Sequence, residues 1–241
     1  MKRLFAIGGG ELRLSETLEI DKKIVEASGK ANPKLLFIPT ASGEPIGYVE
    51  SIQNIYGSIL GCNVATLFLL DGKLTKEDIR RSILDSDIVY VGGGNTKLMM
   101  QVWRENEVDK VLIEAYEKGI ILSGLSAGSI CWFESGHSDS NTYETGEKCP
   151  YIRVKGIGLY PFIHCPHYDE DDRAEEFDKM INETNEIGIA IENNCAIEIY
   201  DDMYRILKSN KNARAFKVYK ADDCILKEEL EQGSMKSLLN R

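Results

Sequence analysis

The residues of this chain best suited to chemistry lie in the stretch ILSGLSAGSI, residues 121–130. It contains the pattern G-x-S-x-G around Ser126, after an apolar run typical of a buried strand and before the start of a helix. On such a strand-to-helix turn the serine Oγ is exposed, and the N–H of the following residue, Ala127, points to the same space. The alternative is a small-residue turn that only lets a helix pack closely.

A serine nucleophile needs a base, and the chain has three histidines. His167 follows Pro166, which should end a strand, so we expect His167 beyond the carboxyl end of that strand, at the edge where Ser126 should lie. His164 falls inside the strand and is interpreted as a core histidine. His137 lies in a polar segment and is expected to be solvated. His167 is therefore the predicted base.

The third member of a triad is a carboxylate that orients the imidazole and stabilises its protonated form. Asp139, in GHSDS, has small hydroxyl neighbours that could hold a buried carboxylate, and Glu144 is the second candidate. Glu134 and Glu147 lie in the same polar segment and are interpreted as solvated charges. The sequence leaves the choice of acid open.

The oxyanion of acyl transfer needs two donors. VGGGNT, residues 91–96, is a second glycine-rich strand end, so an amide of Gly93 or Gly94 could face the amide of Ala127 across the site. A dinucleotide site is the competing interpretation. The G-x-G-x-x-G spacing is absent here and at the first strand, and so is a phosphate-loop lysine, so we expect no nucleotide.

The elements that must position these residues follow a strand–helix alternation. Short apolar runs typical of buried parallel strands occupy 3–8, 35–39, 64–70, 87–94 and 119–124. Helical patterns occupy 15–29, 48–61 and 75–86, the last opening on a capping-box spacing from Thr75 to Asp78. This alternation predicts an α/β fold: a doubly wound, mostly parallel sheet with helices on both faces, which binds ligands at the carboxyl ends of its strands.

The last third of the chain has a different pattern. Residues 134–151 are polar and turn-rich, which predicts a loop, whereas 156–168 contain a strand and 169–183 form an acidic-started helix. The segments at 186–207 and 215–221 predict a small antiparallel extension. No linker or repeat interrupts the chain, so residues 1–241 are expected to form a single domain.

Composition limits the function classes. The 241 residues are 43% hydrophobic and 28% charged, with a net charge of −10 and no basic stripe, so neither nucleic acid nor an anionic membrane is an expected partner. Six scattered cysteines without C-x-x-C spacing predict reduced thiols rather than a metal site. No apolar run has the length of a signal or membrane segment, which favours a cytoplasmic protein.

In combination, several motifs resemble a known family up to about residue 200: FIPTAS, IVYVGGGNT, GLSAGSICW, GHSDS, GLYPFIHCPHYDE and GIAIENNCAIEI. Their order is similar to that of the dipeptidase E (aspartyl dipeptidase) and cyanophycinase family of serine peptidases. The resemblance implies a fold like that of class I glutamine amidotransferases, with serine in place of cysteine on the elbow. It also implies cleavage after an N-terminal aspartate, or of the aspartate–arginine linkages of cyanophycin.

Carried over by position, the resemblance gives Ser126 as nucleophile, His167 as base, and Gly93, Gly94 and Ala127 as the oxyanion region. It favours Asp139 as the acid, with Glu144 in reserve, and it implies substrate contacts from Asn95 and Arg173. Arg173 would pair with the side-chain carboxylate of an aspartyl substrate. Its acidic neighbours at 169–172 and 175–176 could instead occupy the guanidinium, leaving a surface arginine.

The sequence thus predicts a serine peptidase of small peptides that needs neither metal nor cofactor. One alternative is a cyanophycinase-like, isopeptide or acyl hydrolase with the same triad. Another is a non-catalytic small-molecule binder, which would place His167 far from Ser126 or leave His167 without a carboxylate in reach. The expected partner is a small peptide, and a homodimer is one assembly that the sequence allows.

Overall fold

The computed structural model of the chain describes residues 1–222 and 224–240, in which fourteen strands form two sheets. The strands are β1 (Arg3–Ile7), β2 (Lys34–Ile38), β3 (Asn63–Thr66), β4 (Ile88–Val91), β5 (Ile121–Leu125), β6 (Phe133–Ser138), β7 (Ile152–Lys155), β8 (Tyr160–Pro166), β9 (Ile187–Ile191), β10 (Cys195–Tyr200), β11 (Met203–Lys208), β12 (Ala215–Ala221), β13 (Cys224–Glu229) and β14 (Gln232–Ser234). The helices are α1 (Leu18–Ala27), α2 (Ile46–Ile52), α3 (Lys76–Leu84), α4 (Thr96–Glu105), α5 (Val108–Glu117), α6 (Ala127–Ile130), α7 (Ser140–Thr145), α8 (Arg173–Asn182) and α9 (Met235–Leu239).

The first sheet has the strand order β14-β11-β10-β1-β5-β4-β2-β3. Strands β1 to β5 are parallel to their neighbours within this group, as the short apolar runs predicted. Every residue of β4 and β5 is buried, as expected for parallel strands covered on both faces. On the other side of β1, strands β10, β11 and β14 are antiparallel. Strands β10 and β11 come from the segment 186–207 that was predicted to be antiparallel, whereas β9 of that segment lies in the second sheet, parallel to β8.

The second sheet, with the order β13-β12-β9-β8-β6-β7, was not predicted as a separate sheet. Its central strands β6, β8 and β9 are parallel. Strand β6 and helix α7 occupy much of the polar segment 134–151, which was wrongly predicted to be a loop. The small hydroxyl side chains of this segment are buried and hydrogen-bonded, Ser138 to Ser140 and Ser135 to Arg153, so tertiary pairing overrides its polar composition. The α/β class itself is confirmed.

The two sheets share apolar packing. Phe162 of β8, Ile191 of β9 and Ile197 of β10 are buried members of the same cluster of core side chains. Helix α6, which follows the predicted nucleophile, contacts β5 and β1 of the first sheet as well as β6 and β8 of the second. The chain around Ser126 is therefore packed between the sheets. Among the described residues, no helix combines the length and apolar character needed to cross a bilayer.

The capping-box spacing in the sequence corresponds to a helix cap in the structure. Thr75 accepts a hydrogen bond from the Asp78 N–H, and the Asp78 carboxylate accepts one from the Thr75 N–H, so the predicted capping box is formed at the start of α3. Helix α2 continues into a π-helical stretch at Gln53–Ile59. Its Tyr56 is buried and reaches Asp21 on α1.

Asp21 is a carboxylic acid buried between these helices. It accepts hydrogen bonds from the Thr17 hydroxyl at 2.9 Å and from the Tyr56 hydroxyl at 2.6 Å. Burial disfavours the charged form and raises the pKa of Asp21 from 3.8 to about 7. Because the folded pKa lies above the ordinary value, the folded state binds this proton more tightly than the unfolded chain does.

We therefore expect the free energy of unfolding to fall by about 4 kcal/mol as the pH rises from about 4 to about 7, owing to Asp21 alone. Asp21→Asn should remove that part of the pH dependence, because an amide can still accept from Tyr56 and carries no charge. Urea unfolding at pH 5, 6, 7 and 8 measures the difference. The exposed Asp85→Asn is the matched control. Parallel pH curves for wild type and Asp21→Asn would contradict the prediction.

Candidate active site

Ser126 lies on the predicted turn between β5 and α6. Its backbone has φ 57° and ψ −116°, a conformation that is uncommon for a residue other than glycine. The turn is held at both ends: the Ser126 N–H donates to the Ile7 carbonyl, and the Ser126 carbonyl accepts from the Ser129 N–H and hydroxyl. Strained backbone of this kind persists where the surrounding structure over-determines it, often at active sites.

The glycines of the G-x-S-x-G pattern also have a packing role. A Cβ on Gly128 would lie 2.1 Å from the Val91 carbonyl oxygen of β4, and one on Gly124 would lie 2.1 Å from the Gly128 carbonyl oxygen. Both positions must lack a side chain for α6 to pack against the sheet. The two interpretations of this stretch, a nucleophile turn and a close-packing turn, therefore describe the same geometry.

His167 lies directly beyond the carboxyl end of β8, as predicted. Its Nε2 is 2.7 Å from the Ser126 Oγ, although 41 residues separate the two in the chain. His167 is a second residue with positive φ, at 138°, so the backbone is unusual at both members of the pair. A non-catalytic binder was expected to hold these side chains far apart or to leave His167 without a carboxylate, and the observed contact contradicts the first of these expectations.

The other ring nitrogen of His167 contacts an amide that sequence reasoning missed. His167 Nδ1 is 2.9 Å from the Oδ1 of Asn193, in the connection between β9 and β10. The Asn193 NH₂ donates to Asp169 at 3.1 Å and to Glu170 at 3.2 Å, which are both acceptors only. Asn193 must therefore present its oxygen to His167, so Nδ1 carries the proton and Nε2 accepts from Ser126.

Glu170 is the carboxylate nearest to the imidazole among the contacts of His167. Its Oε1 is 3.4 Å from His167 Nδ1. The imidazole beside it lowers the pKa of Glu170 to about 2, so this carboxylate is ionised at neutral pH. The arrangement pairs a neutral acceptor, Asn193, with a nearby negative charge, and the two can share the tasks that a single aspartate performs in a Ser-His-Asp triad.

The predicted acids do not occupy this position. No hydrogen bond or ion pair joins Asp139 or Glu144 to His167 among the described residues. Asp139 precedes α7, and Glu144 forms an ion pair with Lys97 at 3.0 Å. The Ser140 hydroxyl also accepts from the Lys97 N–H. These contacts hold Glu144 and the start of α7 against α4, and the predicted acid is corrected accordingly.

The two remaining histidines are both buried. His164 lies in the core, as predicted: its Nδ1 is 2.8 Å from the Ile189 carbonyl and its Nε2 is 2.8 Å from the Ser129 hydroxyl. His137 was wrongly predicted to be solvated, since it is 1% exposed and stacks on Tyr151 at 4.3 Å. Burial lowers the pKa of each histidine to about 3, so both are neutral.

Ser126 and His167 line a cavity of about 550 Å³. Gly93 and Gly94, the predicted oxyanion glycines, line it too, together with Tyr48 and other residues at the ends of the parallel strands. The Gly93 N–H donates to the Tyr48 hydroxyl at 3.4 Å, close to the limit for a hydrogen bond. The Ala127 N–H belongs to the first turn of α6, where a helix offers no internal acceptor. The remaining lining residues are Gly10, Glu11, Leu12, Arg13, Ser42, Gly47, Ser51, Leu125 and Tyr143.

Asn95 and Arg173, the two residues predicted to contact substrate, lie in different surroundings. Asn95 caps α4, because its Oδ1 accepts from the Leu98 N–H at 3.0 Å, and it does not line the cavity; this corrects its expected role. Arg173 is not a surface arginine: it is 2% exposed, with its guanidinium 4.5 Å from the ring centroid of Tyr151. Within residues 1–222 and 224–240, its Nε and Nη1 have no hydrogen-bond partner.

The acidic neighbours of Arg173 are bonded to other groups. Asp169 accepts from the backbone N–H of Asn193, and Asp172 pairs with Lys148. Two further carboxylates on α8, Glu175 and Glu176, pair with Lys179. The expectation that this acidic segment occupies the guanidinium is therefore wrong for these four carboxylates.

Comparison with known proteins identifies a peptidase family. The family model described as "Peptidase family S51" matches residues 4–207. The Bacillus subtilis (strain 168) protein named uncharacterized peptidase YgaJ is 33% identical over 226 residues, covering 92% of this chain and 94% of its own. A protein named peptidase E from Shewanella amazonensis is 28% identical over 138 residues, covering 56% of this chain and 54% of its own.

Solved structures support the fold. A peptidase from an acI-B1 Actinobacterium superimposes with a TM-score of 0.70 at 19% identity, covering 96% of this chain and 97% of its own. A putative peptidase E from Listeria monocytogenes EGD-e gives a TM-score of 0.66 at 23% identity, covering 86% of this chain and 98% of its own.

Proposed function

This chain belongs to peptidase family S51 and is a peptidase, and from that membership we propose that it hydrolyses short peptides with Ser126 as nucleophile and His167 as general base. One observation carries the proposal: the 2.7 Å contact between Ser126 Oγ and Nε2 of His167, the ring nitrogen that the Asn193 contact leaves free to accept. A serine hydroxyl is a weak nucleophile until an adjacent base accepts its proton, and this contact provides that base.

In the proposed reaction Ser126 Oγ attacks the scissile carbonyl carbon while its proton passes to His167 Nε2. The tetrahedral oxyanion accepts hydrogen bonds from the Ala127 N–H and from an amide of Gly93 or Gly94. The imidazolium then gives its proton to the leaving amine, and the C–N bond breaks to leave an acyl-enzyme. A water molecule, deprotonated by the same imidazole, hydrolyses the ester and restores Ser126.

Asn193 and Glu170 divide the work of the third triad member. Asn193 accepts the Nδ1–H and so keeps Nε2 available as an acceptor, a role that asparagine also has in Cys-His-Asn proteases. Glu170 supplies the negative charge that favours the imidazolium formed during the attack. Because Asn193 also donates to Glu170, the two side chains hold each other in place.

For the substrate, we infer an acidic residue on the acyl side of the scissile bond. The support is Arg173, a buried cation whose neighbours Asp169, Asp172, Glu175 and Glu176 bond to other groups. Its Nε and Nη1 atoms have no acceptor among the described residues. Its positive charge acts on Tyr143, which lines the cavity, and on Glu170. Because Arg173 does not line the cavity, its positive charge would favour a substrate carboxylate through the electrostatic field rather than by direct contact, and the side chain of an N-terminal aspartate is such a carboxylate.

A serine-directed fluorophosphonate should label the protein once per chain, on Ser126. Ser126→Ala should abolish the labelling, whereas Ser51→Ala, which changes another serine lining the same cavity, should leave it intact. Intact-mass and peptide mass spectrometry measure the label and its position. Modification of Ser42 or Ser51, or labelling of the Ser126→Ala variant, would refute Ser126 as the nucleophile.

A further inference from the structure

The cavity beside Ser126 contains one cationic side chain among its lining residues, that of Arg13. It also contains one carboxylate, that of Glu11. Both follow β1: Glu11 precedes a short 3₁₀ turn, Leu12–Leu14, and Arg13 lies within it. The remaining lining residues are apolar, glycine, hydroxyl-bearing or aromatic, apart from His167. Apart from His167, the charged side chains that line this cavity are therefore those of Glu11 and Arg13, two residues apart in the chain.

Arg13 and Glu11 form a loose pair. The Arg13 Nε is 3.2 Å from Glu11 Oε1, and Nη2 is 3.4 Å from Oε2, both long for charge-assisted hydrogen bonds. Nη1 takes no part in the pair. Arg13 is 73% exposed, so its guanidinium can reach a ligand without leaving a buried position. Glu11 restricts the position of the guanidinium, and the N–H groups of Arg13 that do not contact Glu11 remain available to a ligand.

The two arginines near the site lie in different environments. Arg173 is buried beside Tyr151 and does not line the cavity, whereas Arg13 lies in the open cavity with the nucleophile. A peptide offers two kinds of carboxylate, those of acidic side chains and the one at its C-terminus. If Arg173 favours an acidic side chain of the substrate, Arg13 in the cavity is available to bind the C-terminal carboxylate.

We propose that Arg13 binds the free C-terminal carboxylate of the amino acid that leaves when the peptide bond is cleaved, with Glu11 holding the guanidinium in position. This inference rests on the proposed peptidase function. In a dipeptide the terminal carboxylate lies within one residue, about 3.8 Å, of the scissile bond. A longer peptide places a neutral amide there. Arg13 thus selects dipeptides over longer chains.

The apolar wall of the cavity suits the rest of the leaving residue. Leu12 adjoins Arg13 in the chain and lines the same space, and so do Leu125 and Tyr48. An aliphatic side chain can pack there while its carboxylate faces Arg13. The class of leaving group that fits best is therefore a single, uncapped amino acid with an apolar side chain.

The test compares a dipeptide that has leucine in the leaving position with the same dipeptide as its C-terminal amide. Wild type should prefer the free acid. Arg13→Met should raise KM and lower kcat/KM for the acid about tenfold, while the amide loses less than about twofold. Arg13→Lys should give an intermediate value, because lysine keeps the charge and loses the planar fork.

Arg81→Met is the matched control, since Arg81 is similarly exposed, pairs with a nearby carboxylate in the chain and lies outside the cavity. Equal losses on the acid and the amide in Arg13→Met would overturn the proposal, and so would a wild type indifferent to the C-terminal charge. Failure of the peptidase function would look different: Ser126 would not be labelled, and neither substrate would depend on it.

Discussion

Replacing Ser126 with alanine should lower kcat for dipeptide hydrolysis by about 10⁴-fold or more, with a small change in KM. The variant keeps the cavity and loses only the atom that attacks the carbonyl. The remaining activity would come from the oxyanion donors and from substrate binding, which still act when a nucleophile is removed. Steady-state kinetics on purified protein, with unfolding curves for both forms, measure the effect.

The substrate panel for this comparison also tests the acyl-side preference. We expect Asp-Leu to be hydrolysed faster than Asn-Leu, because only the aspartyl side chain carries the negative charge that the positive charge of Arg173 is proposed to favour. A β-linked aspartyl–arginine dipeptide tests the cyanophycinase-like alternative, and a simple ester tests general acyl hydrolysis. Full activity of Ser126→Ala on any substrate cleaved by wild type would refute the mechanism. Faster hydrolysis of the β-linked substrate would refute the assigned specificity alone.

Gly9→Ala should lower kcat by about 10²-fold without unfolding the protein. A Cβ at this position would lie 1.9 Å from Asn193 Oδ1 and 2.3 Å from His167 Nδ1. Neither distance is possible, so the His167–Asn193 pair must move. The contact between His167 and Ser126 depends on that pair, and a displacement of about 1 Å is enough for a loss of this size.

Gly47→Ala is the control for this substitution. Gly47 also lines the cavity, but a Cβ there meets nothing within 4 Å. Its kcat should stay within about twofold of wild type. Fluorophosphonate labelling should be slowed in Gly9→Ala, because the serine is no longer activated. If Gly9→Ala retains wild-type kcat, the hydrogen bond between His167 and Asn193 is not needed for catalysis.

Much of this site could be predicted because its signals are local. A strand end, a G-x-S-x-G pattern and a helix start are adjacent in the chain, so the turn at Ser126 follows from short-range sequence. His167 could be placed because Pro166 marks the end of its strand. The parallel strands and the capping box at Thr75 were also predicted, since apolar runs and cap residues act over a few positions.

The third member could not be found in the same way. Asn193 lies 26 residues after His167, on a connection that the sequence offers only as ENN after an apolar run. A triad acid is ordinarily a carboxylate, and asparagine does not satisfy that criterion. Knowing that β9 pairs in parallel with β8 would have placed the two strand ends side by side. That pairing depends on long-range contacts, which also explain the second sheet and the burial of His137.

The proposed nucleophile, Ser126, follows a strand of the first sheet, and the proposed base, His167, follows a strand of the second, while Asn193 lies on the connection that joins the sheets. The 2.7 Å contact between Ser126 and His167 therefore reports how the two sheets sit against each other. Substitutions deep in the shared core can silence the enzyme without altering any residue in the cavity. Variants selected for activity are consequently also selected for the correct packing of the first sheet against the second.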